Sequence, residues 1–156
     1  MSRLIHKTHN VSVLLYHFVC PTKYRRSVID AKADAALVSI CEGISQRYEI
    51  DFLEIGADKN HVHFLIQSVP LLSPTQIIRT VKNLTARELF AQMPGLKKSL
   101  WGGAFWSSGF YVDTVGRYGS EAGTRRYIAD QGLPDYQPLH DGQLSLFDPA
   151  SEAPLP

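Results

Sequence analysis

The chain has no apolar run approaching the length of a membrane span, and Met1 to Asn10 carries no apolar core of the kind a signal peptide needs. Those two absences make a cytoplasmic protein with no membrane partner the default expectation. Cysteine is scarce: Cys20 and Cys41 fit no metal or redox spacing and read as reduced core residues. Net charge is nearly absent too, at +1, so the total gives no case for nucleic acid. Its distribution says more. Residues 133–156 hold Asp135, Asp141, Asp148 and Glu152 with no Lys or Arg, which leaves 16 basic and 11 acidic residues in 1–132. A basic body with an acidic tail can bind polyanions locally while the total hides it.

What remains is an ordinary globular composition, 44% hydrophobic and 20% charged, in 156 residues, enough for one domain with a real core. Residues 1–132 are the expected domain. Residues 133–156, with Pro134, Pro138, Pro149, Pro154 and Pro156, are the expected flexible tail. Val11–Val19 is β-branched, aromatic and nearly continuous, which predicts a buried strand ended by Pro21. From Ile29, apolar residues Ala33, Leu37, Ile40, Cys41, Ile44 and Tyr48 recur at threes and fours, predicting an amphipathic helix with Asp30 in its first turn. Residues 50–56 alternate apolar and acidic side chains and form a hairpin with residues 60–67 through Ala57–Asn60. Ser73-Pro74 is an N-cap followed by proline at the first helical position, and the helix runs to about Gln92, where Pro94 stops it. Phe110–Val115 is a fourth strand, and a last helix runs from about Ser120 to Gln131 with Gly132 as its C-cap. The order β-α-β-β-α-β-α predicts an α+β, ferredoxin-like βαββαβ antiparallel sheet with helices on one face, plus a C-terminal tyrosine-bearing helix. The other face is expected to be left free.

Chemistry concentrates in Asn60-His61-Val62-His63-Phe64-Leu65. On a strand, positions two apart share a face, so His61 and His63 stand together, with Val62, Phe64 and Ile66 behind them. Two imidazoles on a rigid strand make half of a metal site. The same spacing also describes an ordinary strand with half-buried histidines, and the motif alone does not separate the two. Tyr127 and Gln131, four apart, share one face of the last helix. Taken alone they read as core packing and solvent exposure.

Taken together, Asn60–Leu65, Phe105–Gly116 and Arg126–Gln131 resemble three hallmark blocks of the small single-tyrosine transposases of the histidine-hydrophobic-histidine superfamily, those of the insertion sequence 200/605 group. Thr22-Lys23-Tyr24-Arg25-Arg26 resembles a fourth, and the blocks fall in the family's order over Val11 to Gln131. The resemblance implies an enzyme that cleaves and rejoins single-stranded DNA at hairpin-bearing ends, bacterial and nucleoid-associated when active. Tyr127 would be the nucleophile, leaving a 5′-phosphotyrosine link and a free 3′-OH. His61, His63 and Gln131 would bind Mg²⁺ or Mn²⁺; zinc is the rival on ligand chemistry alone. It also implies a homodimer in which the tyrosine helix of one subunit completes the histidine site of the other. The glycine-flanked Gly116–Gly119 suits such an exchange, or is a plain tight turn.

Lys23, Arg25, Arg26, Arg79, Lys82 and Arg87 are the candidates for contacts to the DNA backbone, and the cluster Trp101, Phe105, Trp106, Phe110 and Tyr111 for base stacking or core. Two positions depart from the family pattern: Asn60 stands where Asp is common, and Gly123 sits inside the tyrosine helix. In the tail, Gln143-Leu144-Ser145-Leu146-Phe147 resembles the pentapeptide that docks bacterial proteins on the DNA polymerase sliding clamp. The alternative is that Leu144, Leu146 and Phe147 pack back on the chain itself. Two other functions stay open on this sequence. One is a domesticated relative acting on chromosomal palindromic repeats, the other a non-catalytic nucleic-acid-binding module resembling RNA-recognition sheets.

Overall fold

In the computed structural model, the described residues are 2–100, 103–116 and 121–131. Trp101, the joint beyond Gly116, the Gly132 cap and the tail with Gln143, Leu144, Leu146 and Phe147 lie outside them.

The run expected as one strand over Val11–Val19 divides at Val13. Ile5–His6 (β1) and Val11–Ser12 (β2) form a short antiparallel ribbon closed by the Lys7 N–H on the Asn10 carbonyl, and the long strand is Leu14–Pro21 (β3). Leu15 to Cys20 are all buried, as a continuous apolar run requires when both faces of its strand are covered. Ala31–Arg47 (α1) follows. Asp30 is its N-cap rather than a first-turn residue, accepting a hydrogen bond from the Ala33 N–H at 2.8 Å. Its apolar stripe is buried through Ile44, whereas Tyr48 ends exposed beyond the last turn.

Asp51–Ala57 (β4) and His61–Ser68 (β5) form the expected hairpin. Pro74–Gln92 (α2) opens on a full capping box: Ser73 accepts from the Gln76 N–H while the Gln76 side chain accepts from the Ser73 N–H. Pro94 does more than stop it, because a proline suited to a first helical turn starts the short helix Pro94–Ser99 (α3). Tyr111–Val115 (β6) and Glu121–Ala129 (α4) complete the described chain.

The sheet runs β4-β5-β3-β6, antiparallel throughout, which is the ferredoxin-like arrangement read from the element order. Val62, Phe64 and Ile66 face the main core with Leu37, Ile44, Ile77, Val81 and Leu89 of the two long helices. Phe105 and Trp106 belong to this core, and the Trp106 Nε1–H donates to Thr85 Oγ1 at 2.9 Å.

The opposite face is not left free. Leu15, Leu65 and Val115 make it too apolar to stand in water, and α4 lies across it with Ile128 fully buried against them. Gly56 lets the helix come that close: a Cβ there would meet the Ile128 carbonyl oxygen at 1.8 Å. The segment before β1 crosses the same face. Arg3 exchanges two hydrogen bonds with the buried Gln67 side chain, and Ser2 donates twice to the carboxylate of Glu121 at the start of α4.

Candidate active site

Strand register decides which side chains share the face under α4. Pro21 pairs with His61, Val19 with His63 and His17 with Leu65, while Asp113 and Tyr111 on β6 stand opposite His17 and Val19. The side chains of His61, His63, His17, Asp113 and Tyr111 therefore fall on one patch. The His61 and His63 rings lie 5.1 Å apart between centroids. Tyr127 comes down from α4 to meet His63 edge-on, at 5.6 Å and 83°. The tyrosine helix thus reaches the histidine pair of its own chain.

Burial favours the neutral form of both imidazoles. Burial, reinforced by neighbouring His17 and His61, holds the His63 pKa down at about 2. Burial also lowers that of His61; the charge of Arg25 adds to the effect and that of Asp58 opposes it. Neutral imidazole is the form that binds metal. Asn60, the departure from the family pattern, accepts a hydrogen bond from His61 Nδ1 at 2.7 Å, which leaves Nε2 to carry the lone pair.

Among the described residues no three His, Cys, Asp or Glu side chains gather as a metal-binding group. The two motif histidines share the patch, whereas Gln131, the third ligand the resemblance implies, makes its side-chain contact with its own helix. Gln131 Nε2 donates to the Tyr127 carbonyl at 2.9 Å, so its amide is turned on its own helix and Oε1 remains the atom suited to a cation. Two imidazoles with one amide oxygen fit Mg²⁺ or Mn²⁺ when phosphate and water complete the set.

The six basic candidates separate. Thr22–Arg26 lies beside the histidines, tied down by Thr22 N–H on the Asn60 carbonyl at 2.9 Å and Lys23 N–H on the Phe105 carbonyl at 2.8 Å. Tyr24 and Arg25 take left-handed backbone angles, φ 57° and 50°, an arrangement that costs energy and turns the Tyr24 ring outward. Arg79 and Arg87 are exposed on α2, across the sheet from the histidines. Lys82 is engaged internally, donating to the Ser107 carbonyl at 2.7 Å and the Gly109 carbonyl at 3.2 Å, and burial lowers its pKa.

Reading the sequence missed His17, Asp113 and Gly56. A histidine in the middle of an apolar strand was the available signal for His17. Nothing local marks the other two.

The family described as "Transposase IS200 like" matches residues 10–131. The chain belongs to the IS200-like transposase family. Relatives include the ISDra2 transposase TnpA of Deinococcus radiodurans, 28% identical over 118 residues that cover 76% of this chain and 84% of that protein. The transposase for insertion sequence element IS200 of Salmonella typhimurium is 30% identical over 136 residues, covering 87% of this chain and 86% of the relative. A crystal structure of a candidate transposase from Deinococcus radiodurans superposes with TM-score 0.67 at 26% identity, over 83% of this chain and 98% of that one. A REP-associated tyrosine transposase bound to a REP hairpin shares the fold, with TM-score 0.51 at 10% identity over 81% of this chain and 68% of that one. Membership of this transposase family supports a DNA transposase role and an enzyme of the DNA-cleaving kind. No helix among the described residues is long and apolar enough to cross a membrane.

Proposed function

We propose that this IS200-like transposase cleaves and rejoins single-stranded DNA at hairpin-bearing ends, with Tyr127 as nucleophile and Mg²⁺ or Mn²⁺ as cofactor. The observation that carries the reading is the edge-on approach of the Tyr127 ring to His63, in a patch where burial favours the neutral form of both motif histidines. The phenol oxygen attacks the scissile phosphorus, the bond to the 3′ oxygen breaks, and the products are a 5′-phosphotyrosine link and a free 3′-OH. A phenol ordinarily has a pKa near 10, so it attacks poorly at neutral pH without help. A divalent cation supplies that help when bound, polarising a phosphoryl oxygen and balancing charge that grows in the transition state. His61, His63 and Gln131 are the residues that would hold it. The covalent link conserves bond energy, so strands rejoin by the reverse attack of a 3′-OH.

Lys23, Arg25 and Arg26 would contact the backbone near the scissile phosphate, and Arg79 and Arg87 more distant duplex. That a REP-associated transposase of this fold was solved on a REP hairpin agrees with hairpin ends as substrate. The chain would work as a homodimer in the bacterial cytoplasm; a partner's tyrosine helix exchanged in trans would dock over Gly56, where α4 now lies. Gln143, Leu144, Leu146 and Phe147 would bind the sliding clamp from the tail, and a peptide spanning them should bind purified clamp unless Phe147 is changed to Ala.

The deciding experiment incubates the protein with a hairpin-bearing single strand and Mn²⁺ and looks for a covalent adduct that survives denaturation. Tyr127→Phe should abolish the adduct, and His61→Ala should reduce it sharply. An adduct formed by Tyr127→Phe ends the assignment of the nucleophile. Hairpin binding with neither adduct nor metal requirement would instead favour a non-catalytic binding module.

A further inference from the structure

Tyr24 has no place in the chemistry above, yet its ring is 67% exposed on the loop next to the motif histidines. Pro21 stands opposite His61 at the end of β3, and the Thr22 N–H is bonded to the Asn60 carbonyl, so the loop leaves directly from the histidine strand. Lys23 Nζ lies over the Tyr24 ring, 5.2 Å from its centroid, and no acidic residue occurs from Thr22 to Ile29. We propose that Tyr24 is a nucleobase-stacking residue, taking a base of the single strand beside the bond that is cut. The inference rests on the reading of single-stranded DNA as the substrate.

Backbone energy and apolar surface both disfavour this placement of the ring. Among the described non-glycine residues, Tyr24 and Arg25 are the ones with positive φ, and such a conformation persists only where the surroundings over-determine it. Here they do. The Thr22 hydroxyl lies 2.7 Å from the Arg26 carbonyl and 3.0 Å from that of Asn60, while the Arg25 N–H bonds back to the Thr22 carbonyl at 2.9 Å. The ring is therefore held on a fixed mount, and little freedom is lost when a base settles on it. Three cations beside an exposed aromatic match what a single strand offers: phosphates for Lys23, Arg25 and Arg26, and a base for the ring. A site for phosphates alone would need the cations without the ring. In a duplex the base faces are covered by their neighbours, so a stacking ring selects unpaired nucleotides.

The test uses the full chain without added metal and reads binding by fluorescence anisotropy. The probes are a labelled oligothymidylate and an abasic strand of the same length, which has the same phosphates and no bases. Tyr24→Asn removes the ring and keeps a residue at home in the left-handed region, and Tyr24→Phe keeps the ring. Tyr24→Asn should bind the oligothymidylate about 5–150-fold more weakly than wild type, the value of one base on one ring. It should bind the abasic strand as wild type does, and Tyr24→Phe should match wild type on both. Wild-type affinity of Tyr24→Asn for the oligothymidylate overturns the proposal, and so does equal weakening on both strands, which would mark the ring as a support for the loop. Should Tyr24→Asn not fold, Tyr24→Gly suits the same backbone and serves as the ring-free variant. On a hairpin-bearing strand with Mn²⁺, abasic substitution beside the cut bond should slow adduct formation by wild type and leave Tyr24→Asn unaffected; equal slowing of both at every position overturns the proposal. Wild type that stacks the oligothymidylate through Tyr24 but forms no adduct upholds the stack and rejects the strand-cleaving reading. Adduct formation with no role for Tyr24 in binding rejects only the stack.

Discussion

Replacing Gly56 with Ala tests how the two halves of the site are brought together. The new Cβ would lie 1.8 Å from the Ile128 carbonyl oxygen and 2.7 Å from its carbon, where ordinary contact begins at 3.4 Å. Both obstacles are helix backbone, so no side chain can swing aside. Either α4 retreats by about 1.6 Å or the edge strand β4 bends away by as much. The pairing of Gly56 with His63 holds β4 in the sheet, so retreat of α4 is the easier movement, and it carries Tyr127 away from His63. Misplacing a catalytic group by about 1 Å can cost on the order of 100-fold in rate, so single-turnover adduct formation on a hairpin-bearing strand should fall at least that far. Full release of α4 would also expose Ile128, a loss of roughly 1.5–3 kcal/mol local to this face. The core between the sheet and the two long helices is built from other residues, so global unfolding should shift little while amide exchange in α4 accelerates. Adduct formation within threefold of wild type, with α4 still protected, would refute the reasoning.

Acidification should weaken the fold before any carboxylate titrates. His61 and His63 have folded pKa values below the ordinary 6.5, so the unfolded chain binds more protons in that range. Their stabilisation is complete above about pH 6.5 and is lost as the pH falls, by at most about 1.4 kcal/mol per pH unit for each group. Urea unfolding at pH 7.5 and 5.5 measures this, and His63→Gln should flatten the dependence; equal stability of wild type at both values would contradict it. Mn²⁺ affinity should decline over the same interval, since protons and cation compete for the same nitrogens. Gly123 has open space where a Cβ would go, so Gly123→Ala should stabilise α4 by up to about 1 kcal/mol, seen as slower amide exchange there. A destabilised helix would mean that the glycine is needed for something its surroundings do not show.

Elements that depend on neighbours along the chain are legible in the residues themselves. The Ser73-Pro74 start of α2, the α1 stripe from Ala33 to Ile44 and the shared face of His61 and His63 follow from caps and periods that act over a few residues. The differences at boundaries are local as well: Asp30 caps α1 instead of sitting in its first turn, and Val13 splits a run whose composition is strand-like throughout.

The chain by itself thus determined the element order, the pairing of the two motif histidines and the family to which their blocks belong. Only the tertiary structure decided what stands against those histidines. Register across three strands, set by the burial of whole faces, aligns Asp113, His17 and His63, although no spacing in the sequence links positions 113, 17 and 63. The docking of α4 on the face expected to be free depends on a missing side chain at Gly56, far along the chain from Ile128. Such a contact between two backbones is fixed by how elements pack in three dimensions, and it leaves no periodic trace in the residues that make it.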